Sequence, residues 1–239
     1  MIRHLAAIFL LLWPVKALPE CRQALALGLD VSGSVDPTEY RLQLSGIVTA
    51  LRDPAVISAF LALPQAPVRL MIYEWSGLRD QRILVEWTDI QDNEDLVRLA
   101  ARLETITAPS AREGSTALSA ALRFGARSLS AQPCWRKVMD ISGDGPGNLG
   151  MHPRDLGGPD LDDITVNALV VGPQGRANTT KDLANVETLE QYFRSHVIRG
   201  PDAFAETARD YKDFARAMRR KLIRELRLPG LAGSYGTPQ

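Results

Sequence analysis

The chain has 239 residues, 45% of them hydrophobic and 23% charged, enough for one large α/β domain with a sizeable aliphatic core. Its 28 basic side chains balance 28 acidic ones. That excludes a general nucleic-acid binder, which carries a basic excess, and a charge-driven disordered chain. No stretch reaches the roughly 18 consecutive apolar residues of a membrane span. Two cysteines exclude a cysteine-rich zinc scaffold and allow one disulfide.

The N-terminus has the pattern of a secretory leader. Arg3 and His4 precede the apolar run 5–13, and Val15-Lys16-Ala17 supplies small residues where a signal peptidase reads them. The run is too short to span a bilayer, and Pro14 would break a helix. Residues 1–17 are therefore expected to be a signal peptide cleaved after Ala17. A lipid anchor on Cys21 is not expected, because Glu20 stands where a small residue is needed. Loss of Arg3 and Lys16 leaves 26 basic against 28 acidic side chains. The destination is the periplasm or the exterior, an oxidising compartment in which Cys21 and Cys134 can pair; two separate buried thiols are the alternative.

From there strands and helices alternate. Residues 24–30 (ALALGLD) suit a buried strand. A helix over 37–51 follows, with Asp36 as cap and Pro37 at its first position. A short helix starts at Asp53-Pro54 and ends before Pro64. Residues 68–75 (VRLMIYEW) and 82–87 form strands around a turn at 76–80, a hairpin. Helical periodicity covers 92–106, through Leu96, Leu99, Ala100 and Leu103. A polar loop, 107–114, leads to an Ala/Leu helix over 116–129. Strand 136–142 precedes a long Gly/Pro-rich loop, 143–158. The remaining expectations are strand 164–171, helix 181–193, short strand 196–199, one long amphipathic helix over 202–226, and a loose tail at 229–239. Such alternation implies a mostly parallel sheet covered on both faces. Sites in these sheets form beyond the carboxyl ends of the strands, where the winding reverses.

Three loops at such strand ends carry oxygen-rich motifs. The first strand ends in Asp30-Val31-Ser32-Gly33-Ser34, one carboxylate and two hydroxyls. These are hard ligands of the type Mg²⁺ accepts; a helix-capping turn is the plain alternative. The second loop is Gly114-Ser115-Thr116, where Thr116 would ordinarily cap the next helix. The third is Ser142-Gly143-Asp144-Gly145, otherwise an ordinary glycine turn. No Gly-Lys-Ser/Thr ending follows, so a phosphate-binding loop fits poorly.

Together these motifs resemble the von Willebrand factor A (vWA) domain with its metal-ion-dependent adhesion site. Asp30, Ser32 and Ser34 match the D-x-S-x-S motif, Thr116 the lone threonine, and Asp144 the aspartate of the Asp-Gly loop. Order and spacing agree from about residue 24 to residue 226. The stretches 29–36, 39–43, 73–77, 140–146 and 219–225 further resemble a group of uncharacterised exported bacterial proteins with this domain, a resemblance that brings no activity. One departure is visible: most members would place a helix between Asp144 and the strand at Ile164, where this chain has Pro153, Gly157, Gly158 and Pro159.

The resemblance implies a doubly wound, Rossmann-like domain over 21–228, with one antiparallel edge strand and helices on both faces. It implies that Ser32, Ser34 and Thr116 offer hydroxyls to Mg²⁺ (Mn²⁺ or Ca²⁺ being the other candidates), with Asp30 and Asp144 balancing charge directly or through water. The open position would take an Asp or Glu carboxylate from a protein partner. It also makes the strands beginning near Cys21 and Cys134 parallel neighbours, which implies the disulfide.

Other residues carry two readings. Glu74 and Trp75 could form a rim for partner contact, but packing at the strand end is the favoured reading. His152 is a third rim candidate, more simply a solvated loop histidine. Asp140 sits in a strand built to be buried and calls for a basic partner, Arg69 or Lys137. The basic residues of 212–227 suit a solvated helix face more than a lipid contact. Two histidines left after cleavage and the lack of a G-x-S-x-G elbow argue against a Ser-His-Asp hydrolase. The function expected is a non-catalytic, metal-dependent protein-binding module. The alternatives are a metal-assisted phosphohydrolase and an envelope structural protein whose metal only braces loops.

Overall fold

The computed structural model describes residues 21–109, 114–157, 161–172 and 180–227. The expected leader and the tail at 229–239 lie outside them. The sheet contains β1 (Cys21–Asp30), β2 (Val68–Trp75), β3 (Gln81–Ile90), β4 (Cys134–Gly143), β5 (Ile164–Val171) and β6 (Ala205–Ala208). Their spatial order is β3-β2-β1-β4-β5-β6. All neighbours are parallel except β2 and β3. The chain winds outward from β1 to β3, then returns to β4 and winds the other way. The doubly wound fold therefore has its switch point between β1 and β4.

Strand periodicity explains why β1 can be buried along its whole length. Leu25, Leu27 and Leu29 enter one core with α1 (Pro37–Leu51), α3 (Asn93–Glu104) and α6 (Phe214–Glu225), through Ile47, Leu99 and Phe214. Ala24 and Ala26 enter the other with α4 (Leu118–Ser130) and α5 (Thr180–His196), through Leu122 and Phe193. Helix α1 starts where expected. The Asp36 side chain accepts from the amides of Thr38 and Glu39 at 2.6 and 2.9 Å, and Glu39 accepts from the Asp36 amide at 2.8 Å. This is a capping box with Pro37 at the first position. The short helix α2 (Pro54–Phe60) is likewise capped by an aspartate, Asp53, with Pro54 at its first position but no reciprocal bond.

Cys21 and Cys134 are register partners at the amino ends of β1 and β4. They form a disulfide with Cα atoms 4.7 Å apart, closing a loop of 113 residues.

Three expectations need correction. The stretch 202–226 is not one helix: Ala205–Ala208 forms β6, a 3-10 turn covers Tyr211–Asp213, and only then does α6 begin. Spacing in a short Ala-rich run fits either period, and the sheet decides. The Ala168 and Gly172 amides donate to the carbonyls of Phe204 and Ala208, at 3.1 and 2.9 Å, so β6 satisfies an edge that β5 would otherwise expose. No strand occupies 196–199, because α5 runs to His196 and only Arg199 bridges to Val166. Asp140, finally, pairs with neither Arg69 nor Lys137. Arg69 binds Asp89 at 2.6 Å, and Lys137 donates to the Ser130 carbonyl at 3.0 Å.

The partner of Asp140 is Lys221 of α6, at 3.0 Å. Lys221 is fully buried and also holds Glu225 at 2.9 Å, which accepts from Asn167 of β5 at 2.7 Å. The Phe204 ring lies 4.6 Å below the ammonium. The rest of the basic face is solvent-exposed as expected, and on it Arg216 pairs with Asp213, Arg219 with Asp53 and Arg220 with Glu206.

Burial pushes the Asp140 carboxyl up to about 7; Lys221 opposes the shift and Glu225 adds to it. Removing Lys221 deletes the opposing charge and strands buried carboxylates, a loss of about 3 kcal/mol. The folded state of Lys221→Met then keeps a proton on Asp140 that the unfolded chain releases near pH 4. Its stability is therefore best preserved at low pH and falls as pH rises from about 4 to 8. Urea denaturation at pH 5 and pH 8 should show the larger deficit at pH 8. Cys21→Ser should lose about 4 kcal/mol in the chain-entropy model. Its melting temperature in non-reducing buffer should drop to that of the wild type in dithiothreitol.

Candidate metal centre

The switch point places three loops side by side. In the first, beyond β1, the Asp30 Oδ1 accepts from the Ser32 amide at 2.8 Å, a short turn that aims both serines the same way. The Ser32 and Ser34 hydroxyl oxygens lie 3.2 Å apart. The third loop, beyond β4, meets them: the Ser34 hydroxyl donates to Asp144 Oδ1 at 2.6 Å. The second loop is joined through the backbone, where the Gly33 amide donates to the Gly114 carbonyl at 3.2 Å. A Cβ on Gly33 would stand 2.8 Å from that carbonyl oxygen, so only glycine permits this approach.

Thr116 is buried and lies two residues beyond this contact. Its amide donates to Asn148 Oδ1 at 2.8 Å, and its carbonyl accepts from the Asn148 amide at 3.0 Å. The N-cap of α4 is Ala117, with no side-chain cap bond. Thr116 is therefore not the helix cap its position suggests. The Ala117 amide donates to the Ser76 carbonyl at 2.8 Å, tying this loop to the end of β2.

Behind the site, Gln43 Nε2 donates to the Asp30 carbonyl at 2.8 Å. The Ser142 hydroxyl accepts from the Asp30 amide at 3.3 Å. The end of β1 is thus fixed by side chains from α1 and β4. From below, the Tyr211 hydroxyl donates to Asp144 Oδ2 at 3.1 Å. Burial is the main cause holding the Tyr211 phenol well above its ordinary range, and the Asp144, Asp30 and Glu39 carboxylates add to it. Sequence reasoning missed Tyr211, whose place in an apolar stripe gave no sign of this bond. It also missed Asn148, one polar residue in a glycine-rich loop.

The electrostatics are those of a site short of positive charge. Asp30 is 1% exposed, and its Oδ2 is buried without a hydrogen-bond partner. Burial first, and the Asp144 carboxylate second, raise its carboxyl to about 7 against the opposing bonds from Ser32 and the Asp144 backbone. Among the described residues no cluster of three or more His, Cys, Asp or Glu side chains could hold a metal ion. The oxygens gathered here are hydroxyl and carboxylate, hard donors of the set Mg²⁺ accepts, and an unpartnered buried carboxylate oxygen fits a cation.

The packing reading of Glu74 and Trp75 holds, and their alternative reading as a partner-contact rim does not. Glu74 and Trp75 are buried, at 1% and 0% exposure, and present no surface to a partner. Glu74 instead accepts from the Tyr40 hydroxyl at 2.7 Å and from Arg82 at 3.1 Å. Of the three residues only His152 is exposed. It packs edge-on against His196, centroids 4.8 Å apart, and against Tyr192, whose hydroxyl accepts from the Gly147 amide at 3.2 Å. Between Asp144 and β5 the described residues contain only a 3-10 turn, Pro153–Asp155, in place of a full helix.

Solved structures of vWA-like proteins share this fold. Proximal thread matrix protein 1 from the mussel byssus, in a form with a zinc-occupied MIDAS motif, matches with TM-score 0.56 and 14% identity, over 85% of this chain and 48% of that one. The PilB minor pilin from Streptococcus sanguinis matches with TM-score 0.56 and 12% identity, over 90% and 64%. An aerotolerance-related membrane protein from Bacteroides fragilis matches with TM-score 0.51 and 15% identity, over 84% and 98%. The chain thus spans about half of the byssus protein and under two thirds of the pilin. No curated protein is significantly similar in sequence. One family model covers residues 20–229, and on that match the chain belongs to the family described as Protein of unknown function (DUF1194).

Proposed function

We propose that this protein is an exported, non-catalytic binding module. In this reading Asp30, Ser32, Ser34, Thr116 and Asp144 hold a divalent cation, Mg²⁺ in preference to Mn²⁺ or Ca²⁺, and the cation captures an Asp or Glu carboxylate of a partner protein. The observation that carries the proposal is the convergence of Ser32, Ser34 and Asp144 on Asp30, whose Oδ2 is buried without a partner. Three of the five donors are neutral hydroxyls. A cation held this way keeps much of its charge and favours an anionic ligand. Export is supported by the charged-apolar-small pattern of residues 1–17 and by the Cys21–Cys134 disulfide, a bond suited to an oxidising compartment. The likeness to a byssus matrix protein and a pilin is consistent with a role in protein contacts.

Calorimetric titration with Mg²⁺ and Mn²⁺ should give saturable one-site binding by the wild type. Asp30→Ala and Asp144→Ala should each lose it, with circular dichroism unchanged. Wild-type affinity in either variant would remove that residue from the site, and no binding by the wild type would overturn the proposal. Gly33→Ala changes no donor but pushes the first loop off the Gly114 carbonyl. It should weaken Mg²⁺ binding at least about tenfold, the scale of losing one bond to a charged group.

A further inference from the structure

Asp144 is held by both of its carboxylate oxygens, from different parts of the chain. Oδ1 accepts from Ser34 in the loop after β1, at 2.6 Å. Oδ2 accepts from Tyr211, at 3.1 Å. Tyr211 has little freedom to move. It is 2% exposed, and its ring lies nearly parallel to Phe214, with centroids 6.5 Å apart. The turn that carries it is pinned at both ends. Asp210 accepts from the Asp213 amide at 3.0 Å, and Asp213 accepts from the Arg209 amide at 3.1 Å and from Arg216 at 2.7 Å. If the Asp144 carboxylate rotated, the phenol hydroxyl could not follow it.

This arrangement bears on which ion the site accepts. Ca²⁺ takes six to eight oxygens and often uses both oxygens of one carboxylate, whereas Mg²⁺ takes six at shorter distances and keeps several waters. Using both oxygens of Asp144 would require Oδ2 to turn from Tyr211 toward the ion. That would leave a buried phenol without its acceptor, a costly state.

We infer that Tyr211 is a selectivity-determining positioning residue: by holding Oδ2 it confines Asp144 to one-oxygen coordination, direct or through water, and so disfavours Ca²⁺ relative to Mg²⁺. The inference rests on the metal-site reading above. It assigns selectivity to a side chain that is not itself a ligand.

The test is calorimetric titration of the full disulfide-bonded chain and of Tyr211→Phe with MgCl₂ and CaCl₂ separately. Tyr211→Phe keeps the ring and its stacking and deletes only the hydroxyl. The ratio of the Ca²⁺ to the Mg²⁺ dissociation constant should fall about tenfold in the variant, the scale of one hydrogen bond to a charged group. A purely structural role would lower the melting temperature and leave the ratio where it was, and an unchanged ratio overturns the inference. The wild type provides a second check that needs no variant. It should bind Ca²⁺ more weakly than Mg²⁺, and a wild type that binds Ca²⁺ as tightly as Mg²⁺ overturns the inference outright. If the wild type binds neither ion, the metal-site reading itself fails and the selectivity role falls with it.

Discussion

The parallel pairing of β1 with β4 is the constraint on which the rest of this molecule depends. These strands are separated by more than a hundred residues, yet their register puts Cys21 opposite Cys134 at one end and brings Asp30 to Asp144 at the other. The same pairing defines the switch point, since the chain leaves β1 in one direction and β4 in the opposite one. The disulfide therefore fixes the register from the far end of the strands that carry the two carboxylates. A slip of one residue would turn every side chain of β1 to the wrong face.

A second tie strengthens the same end. Arg22, next to Cys21, is 4% exposed and donates to the carbonyls of Ala59 and Phe60 at the end of α2, and of Leu226 at the end of α6. Helix carboxyl ends leave carbonyls unsatisfied and carry partial negative charge, which one guanidinium can serve for two helices together. Burying it is tolerable because both terminal nitrogens meet carbonyl acceptors, although Nε has no hydrogen-bond partner. The buried charges at Asp140, Lys221 and Glu225 compensate one another by ion pairing instead, with Asn167 donating to Glu225. These polar contacts place α6, and α6 follows directly on the turn that carries Tyr211.

Much of this was legible in the sequence because strand alternation and loop chemistry are local. The stretch ALALGLD specifies a strand buried on both faces, and Asp36-Pro37 specifies a helix start. The parts that were not legible depend on what meets what across the fold. Strand parity could have ruled out Lys137 as the partner of Asp140, since residues three apart on a strand face opposite ways. Arg69 lies with Met71 and Tyr73 on the α4–α5 side, while Asp140 lies with Val138 on the α1–α6 side. The true partner, Lys221, sat in a run of basic residues that looked solvated, and only packing singles it out. The division of 202–226 was hidden for a related reason: Ala205–Ala208 is a strand because β5 offers an edge to pair with.

The candidate site shows the same split between local motif and tertiary support. Asp30, Ser32, Ser34 and Asp144 come together as their motifs imply, and Thr116 enters a loop joined to them through Gly33 and Gly114. What the motifs do not encode is rigidity. Gln43 and Ser142 fix the backbone of Asp30, Asn148 fixes that of Thr116, and Tyr211 fixes the carboxylate of Asp144. Together these bonds hold the three loops in one fixed arrangement. Each of these supporting bonds comes from a segment remote in sequence from the residue it steadies. The site is therefore a property of the whole doubly wound sheet as much as of the three loops.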